Sequence, residues 1–181
     1  MADVAYLRSL LKEHPDFPKK GIVFLDIFPL FKQPTSVEAL LSHFFNHLAA
    51  GVLAKEGGVD VVVGLDARGF LFGPILALRL GAAFVPVRKR GKLPGECVQA
   101  TYTKEYGEDI FEMQAGAIEQ GQKVIVVDDL IATGGSAGAA GQLVEKQGGR
   151  LLEFLFIIEL TFLKGADKLN APSYSIVKVD D

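Results

Sequence analysis

The sequence holds one cysteine, Cys97, so no disulfide can form within the chain and no thiolate cage can hold zinc. Tryptophan is absent and histidine occurs three times. His43 and His47 stand one helical turn apart, but no His-Glu-x-x-His surrounds them, which argues against a zinc hydrolase. A basic excess is also missing. Lys and Arg number 19 against 22 Asp and Glu, for a net charge of −3, so no overall field recruits nucleic acid and any anion must be met by a local cluster. The strongest apolar run, Gly69–Leu78, lies between Arg68 and Arg79 and is too short for a bilayer. The early charges Asp3, Arg8, Lys12 and Glu13 predict no secretory leader. Together these absences predict a soluble protein in a reducing, cytoplasmic setting. Neither a Walker loop nor the dinucleotide pattern G-x-G-x-x-G occurs.

What is present fits one domain of 181 residues with a substantial core. Asp3 is placed to cap a helix bearing Val4, Leu7, Leu10 and Leu11, stopping near His14-Pro15. The apolar residues between Phe17 and Ile27 suit either a core or a flat slot for an aromatic ring. Thr35-Ser36-Val37-Glu38 reads as a capping box. The helix after it carries Val37, Leu40, Leu41, Phe44, Phe45, Leu48 and Val52, a stripe for the core or in part for a subunit interface. Strands are then predicted at Val59–Leu65, Ala83–Val87, Lys123–Val127, Leu151–Ile158 and Ser173–Val179, with helices at Gly69–Leu80 and Gly135–Gln147. The alternation predicts an α/β fold, a mostly parallel twisted sheet flanked by helices, with ligands at the carboxyl ends of its strands. Between Gly91 and Lys123 the periodicity fails, and only Phe111–Met113 looks extended. That segment suits a lid or a plain surface loop.

One stretch carries the chemistry. Val124-Ile125-Val126-Val127 reads as a buried strand, followed by Asp128-Asp129, then Ala132-Thr133-Gly134-Gly135-Ser136, then a helix. The loop and first helical turn leave backbone N–H groups open to an anion, and the helix dipole favours one there. Carboxylates are poor partners for phosphate but good acceptors for sugar hydroxyls. One segment can therefore grip both ends of a ribose 5-phosphate. Neighbours on an extended strand point to opposite faces, so the two acids serve one ligand only if the strand has ended before them. Two further charged loops follow predicted strands on the same side. Asp66-Ala67-Arg68-Gly69 sets a guanidinium at a helix start, and Arg88-Lys89-Arg90-Gly91-Lys92 crowds four cations together.

The Asp128–Ser136 segment closely resembles the diphosphoribosyl-binding motif of type I phosphoribosyltransferases. With Asp66-Ala67-Arg68-Gly69-Phe70, Arg88-Lys89-Arg90-Gly91-Lys92-Leu93-Pro94 and Glu105-Tyr106-Gly107 in that order, the chain resembles the adenine branch of that family, from Phe17-Pro18 to Leu163-Lys164-Gly165. The resemblance implies a single domain over 1–181, with a base-binding hood at about 1–35 and a lid loop at about 95–112. It implies transfer of a 5-phosphoribosyl group from 5-phosphoribosyl 1-diphosphate to N9 of adenine, giving AMP and diphosphate. By the same resemblance Asp128 and Asp129 hold the ribose hydroxyls. Ala132, Thr133, Gly134, Gly135 and Ser136 hold the 5-phosphate, with Tyr106 near the phosphoribosyl group. Arg68, Arg88, Lys89 and Lys92 face the diphosphate, some across a homodimer interface. Glu105 is the catalytic group exchanging a proton with the purine. The backbone at Val23 and Leu25, with Phe24 and Leu160, forms the adenine slot. Mg²⁺ is the implied cofactor, held mainly through substrate. Leu25 stands where the family often has a charged residue. Two other readings stay open: a phosphoribosyltransferase for a 6-oxopurine or orotate, with Lys164 as a donor to the base, and a non-catalytic sensor of phosphoribosyl diphosphate.

Overall fold

The computed structural model describes residues 4–104 and 107–180. The chain divides into two compact units, 1–47 and 48–181.

In the first unit, α1 (Val4–Leu10) buries Leu7 and stops earlier than its apolar spacing suggests. Asp3, its expected cap, lies outside the described residues. Proline at 15 bars a helix and biases His14 to an extended conformation. Accordingly β1 (Lys12–Pro15) pairs antiparallel with β2 (Val23–Asp26), with His14 opposite Phe24. Ile27 and Leu30 are fully buried, whereas Phe17, Ile22 and Val23 are about half exposed. The apolar stretch between 17 and 30 is thus partly core and partly surface. The next helix, α2 (Pro34–Ala50), begins before the expected capping box. Proline has no N–H to satisfy and suits the first helical position. Thr35 and Ser36 therefore lie inside the first turn, and the capping-box reading is corrected. The Ser36 hydroxyl instead meets the Tyr6 hydroxyl at 3.1 Å.

In the second unit, α3 (Val52–Glu56) ends on Gly57 in the left-handed region. The expected alternation follows: β3 (Val61–Leu65), α4 (Gly73–Leu80), β4 (Ala83–Lys89), β5 (Cys97–Lys104), β6 (Gly107–Gln114), β7 (Lys123–Ile131), α5 (Gly135–Lys146), β8 (Arg150–Leu160) and β9 (Ser173–Val179). The strands form a seven-stranded sheet in the order β5-β6-β4-β3-β7-β8-β9. The run β4-β3-β7-β8-β9 is parallel, and β5 and β6 extend it antiparallel. Val61–Leu65 and Val124–Val127 are buried throughout, as strands covered on both faces must be. Gly64 and Gly73 leave the room that the Phe84 ring occupies, since a Cβ on either would fall within 2.8 Å of it.

The segment expected to lack periodicity is corrected to a β-hairpin. Val98, Ala100 and Tyr102 alternate with Gln99 and Thr101, and this weak period-two pattern is masked by threonine and glutamine. Ala100, Tyr102, Phe111 and Met113 join the main core, with the Tyr102 and Phe111 rings 4.8 Å apart. Lys146 on α5 fixes the hairpin by donating from Nζ to the Gln99 carbonyl at 2.6 Å.

Candidate active site

The parallel strands β4, β3 and β7 are neighbours, so their carboxyl ends lie side by side. Side chains tie the three ends together. Asp66, just past β3, accepts from Arg88 Nε at 2.8 Å. Arg88 also donates from Nη1 to the Lys92 carbonyl at 3.2 Å, so one guanidinium orders its own basic loop. On the other side, Arg68 Nη1 stands 3.1 Å from Asp129 Oδ2 on β7. Arg68 can come this close because Gly69 follows it: a Cβ at 69 would lie 2.7 Å from the Val127 carbonyl oxygen. Lys89 pairs with Asp109 of β6 at 3.6 Å, and the Lys92 side chain is exposed. The basic run is therefore partly neutralised, by Asp66 and Asp109. Neither partner was foreseeable, because each comes from a strand whose neighbourhood only the sheet order decides.

The expectation that β7 ends at Val127 is corrected: it continues through both acids to Ile131. Pairing with β8 carries on past them, at Leu130 opposite Ile158 and Ile131 opposite Glu159, and these ladder bonds hold the backbone extended. Alternation buries Asp129 and leaves Asp128 half-buried. Asp128 Oδ1 turns back to accept the Asp129 amide at 2.9 Å. The two carboxyls therefore still share one charged locus. Burial pushes the Asp128 carboxyl well above its ordinary range, and the adjacent Asp129 charge pushes it further. Burial also raises Asp129, with Arg68 opposing. Such a pair favours a ligand that supplies hydroxyl donors to its oxygens.

Beyond β7 the chain turns through Ala132 and Thr133 to Gly134, whose φ of 82° is left-handed, and enters α5 at Gly135. No side chain caps this helix start. Gly134 and Gly165 face each other so closely that a Cβ on Gly134 would strike the Gly165 carbonyl, and one on Gly165 would strike the Ala132 carbonyl. A cavity of about 330 Å³ opens over the loop, lined by Thr133, Gly134, Gly138, Thr101, Tyr102 and Lys168 among others. Thr133 is exposed, and Ala132, Gly135 and Ser136 are half-buried. Thr101, Tyr102, Gly165 and Lys168 are additions to the site. The residues around Gly165 and Lys168 carry no periodic signal, and only the glycine within Lys164-Gly165-Ala166 hints at a close approach.

The remaining expected residues are placed as follows. Glu105 and Tyr106, between β5 and β6, lie outside the described residues. Val23, Phe24 and Leu25 form β2 of the first unit, where Phe24 packs edge-on against Phe17 with centroids 5.2 Å apart. Leu160 ends β8, and Lys164 is exposed in the left-handed region. Among the described residues no three His, Cys, Asp or Glu side chains gather to hold a metal ion. Among the described residues no helix is long and apolar enough to cross a membrane.

Residues 37–180 match the phosphoribosyl transferase domain. Adenine phosphoribosyltransferase from Yarrowia lipolytica is 59% identical over 94% of this chain and 93% of its own length. A crystal structure of adenine phosphoribosyltransferase from Saccharomyces cerevisiae, complexed with an imino-altritol bisphosphate and adenine, superposes with a TM-score of 0.93. It is 53% identical over 96% of this chain and 98% of that one. The enzyme from Trypanosoma brucei, in complex with AMP, pyrophosphate and ribose-5-phosphate, gives a TM-score of 0.82 at 27% identity, over 98% of this chain and 79% of that one.

Proposed function

The chain belongs to the phosphoribosyltransferase family, in its adenine branch, and from that premise we propose how its residues carry the reaction. It transfers the 5-phosphoribosyl group of 5-phosphoribosyl 1-diphosphate to N9 of adenine, making AMP and diphosphate in purine salvage. The observation that carries the site assignment is the end of β7. There an acidic pair, one member held by Arg68 at 3.1 Å, runs directly into an uncapped helix start under a cavity.

Asp128 and Asp129 accept the ribose hydroxyls. Backbone N–H groups from Ala132 to Gly135, with the Thr133 and Ser136 hydroxyls, take the 5-phosphate. The C1–oxygen bond to diphosphate breaks, the C1–N9 bond forms, and adenine gives up its N9 proton. Arg68, Arg88, Lys89 and Lys92 stabilise the negative charge that collects on the leaving diphosphate. Mg²⁺, when bound through the diphosphate, supplies further charge neutralisation there. Glu105 exchanges a proton at the imidazole edge of the purine, and Tyr106 lies near the phosphoribosyl group. The lid role falls to the part of 95–112 that carries Glu105 and Tyr106, since Ala100, Tyr102 and Phe111 are fixed in the core, and it keeps water from the sugar cation. Val23, Phe24 and Leu25, on β2 of the first unit, offer apolar surface to the base. Leu25 contributes through its backbone, so the loss of a charged side chain there leaves base recognition intact.

The enzyme works as a homodimer in the cytoplasm. Leu71, Ile75 and Leu78 are exposed at helical spacing along and just before α4, with Leu78 80% exposed, an apolar stripe suited to a second copy. Steady-state assays with adenine, guanine, hypoxanthine and orotate test the base assignment. Adenine should be used well ahead of the others, and a faster reaction with an oxopurine or orotate would overturn it.

A further inference from the structure

We propose that Lys168 is the cation of the 5-phosphate subsite, a charge the loop beneath the phosphate does not itself provide. The inference rests on the reading of 132–136 as the phosphate cradle. Those residues include no lysine or arginine, so the cradle meets a dianion with neutral donors and a helix dipole of roughly half a charge. Lys168 comes from the short turn Ala166–Lys168 after β8. Its Nζ donates to the Thr133 carbonyl at 3.2 Å, and among the described residues lining the cavity over that loop it is the charged one. An ammonium has three protons, and this bond uses one. Among the described residues no ion pair involves Lys168 Nζ.

The placement is built by backbone rather than by a wandering side chain. Gly165 packs directly on the Ala132 carbonyl and the Gly134 amide, and the Lys168 amide donates to the Gly165 carbonyl at 3.2 Å. The turn that carries the lysine and the loop that takes the phosphate are therefore locked in register. An ammonium held there selects sugars that bear a phosphate dianion over those that do not.

Two variants separate charge from bracing. Lys168→Gln keeps a donor for the Thr133 carbonyl and drops the charge; Lys168→Arg keeps both. For Lys168→Gln the KM for 5-phosphoribosyl 1-diphosphate should rise about tenfold, the size of a charge-assisted contact discounted for exposure. Its kcat, its KM for adenine and its Tm should stay near wild type, and its phosphoribosyl KM should depend less on salt. Lys168→Arg should stay within about threefold of wild type. An unchanged phosphoribosyl KM in Lys168→Gln, or a fall in kcat alone, overturns the proposal. Ser136→Ala serves as the control for the cradle itself. If Ser136→Ala raises that KM and Lys168→Gln does not, only the role of Lys168 falls; if neither raises it, the phosphate is held elsewhere and both readings fall.

Discussion

Gly165→Ala tests the bracing of the phosphate loop most directly. Gly165 has φ −67°, a conformation alanine adopts freely, so any penalty must be steric. In open space the change would stabilise by about 0.4–1 kcal/mol through the unfolded chain. The space is not open. The added Cβ would meet the Ala132 carbonyl oxygen, the Gly134 nitrogen at 2.7 Å and the Thr133 carbonyl carbon at 2.9 Å. All three are backbone, so no side chain can rotate away. For an ordinary contact of 3.4 Å, the Gly134 nitrogen alone must retreat by about 0.7 Å. Overpacking of this kind costs roughly 1–3 kcal/mol, or about 3–10 °C in Tm for a chain of this length. The retreat moves the N–H groups proposed to hold the phosphate, and displacements near 1 Å cost up to about a hundredfold in such sites. Differential scanning calorimetry with steady-state kinetics gives both numbers. Gly138→Ala is the control for Tm alone, because Gly138 lines the cavity: among the described residues outside its own helix turn no atom lies within 4 Å of its Cβ, and inside α5 it should raise Tm by the equivalent of about 0.5–1 kcal/mol. A Gly165→Ala protein with wild-type Tm and wild-type phosphoribosyl KM refutes the bracing argument.

Asp128→Asn should stabilise the free enzyme while impairing it. The folded carboxyl titrates above the unfolded one, so stability is lost as pH rises from about 4, the unfolded value, through the folded pKa. Removing the charge should raise Tm by a few degrees at pH 7, the scale of about 1 kcal/mol, with the gain vanishing toward pH 4. The phosphoribosyl KM should rise about tenfold as a charged acceptor is lost. A gain that grows toward pH 4 would show that the carboxyl is not held above its ordinary range. Glu105→Gln should keep substrate binding and lower turnover by roughly tenfold to ten-thousandfold, read by kcat and by direct binding of adenine; unchanged turnover removes Glu105 from the mechanism. Leu78→Glu should shift the proposed dimer to monomer in sedimentation equilibrium, and a wild-type dimer that persists in the variant takes α4 out of the interface.

Local pattern was enough for much of the second unit. Ser173–Val179 is a strand as expected, and the helix expected over Gly135–Gln147 spans Gly135–Lys146. The buried run Val124–Val127 was plain from its β-branched residues, but its end was not. Aspartates are poor strand formers, and only pairing with β8 carries the strand on to Ile131. The hairpin of β5 and β6 was hidden for a related reason. Its threonines and glutamine blur the alternation, and it gains order from Phe111, Met113 and Tyr102 joining the core.

Read alone, the chain determines the α/β class, the alternating elements from β7 to β9 and the acidic stretch leading to a glycine loop, because strand period, turn residues and open helix N–H groups are all written within about ten residues of each other. Tertiary structure alone decided that Arg68 reaches Asp129, that Arg88 reaches Asp66, and that Gly165 and Lys168 close on Thr133 and Gly134. Those contacts join segments far apart in sequence. They exist only because β4, β3, β7 and β8 lie adjacent in one sheet, an order set by packing of whole elements and not by any stretch of residues by itself.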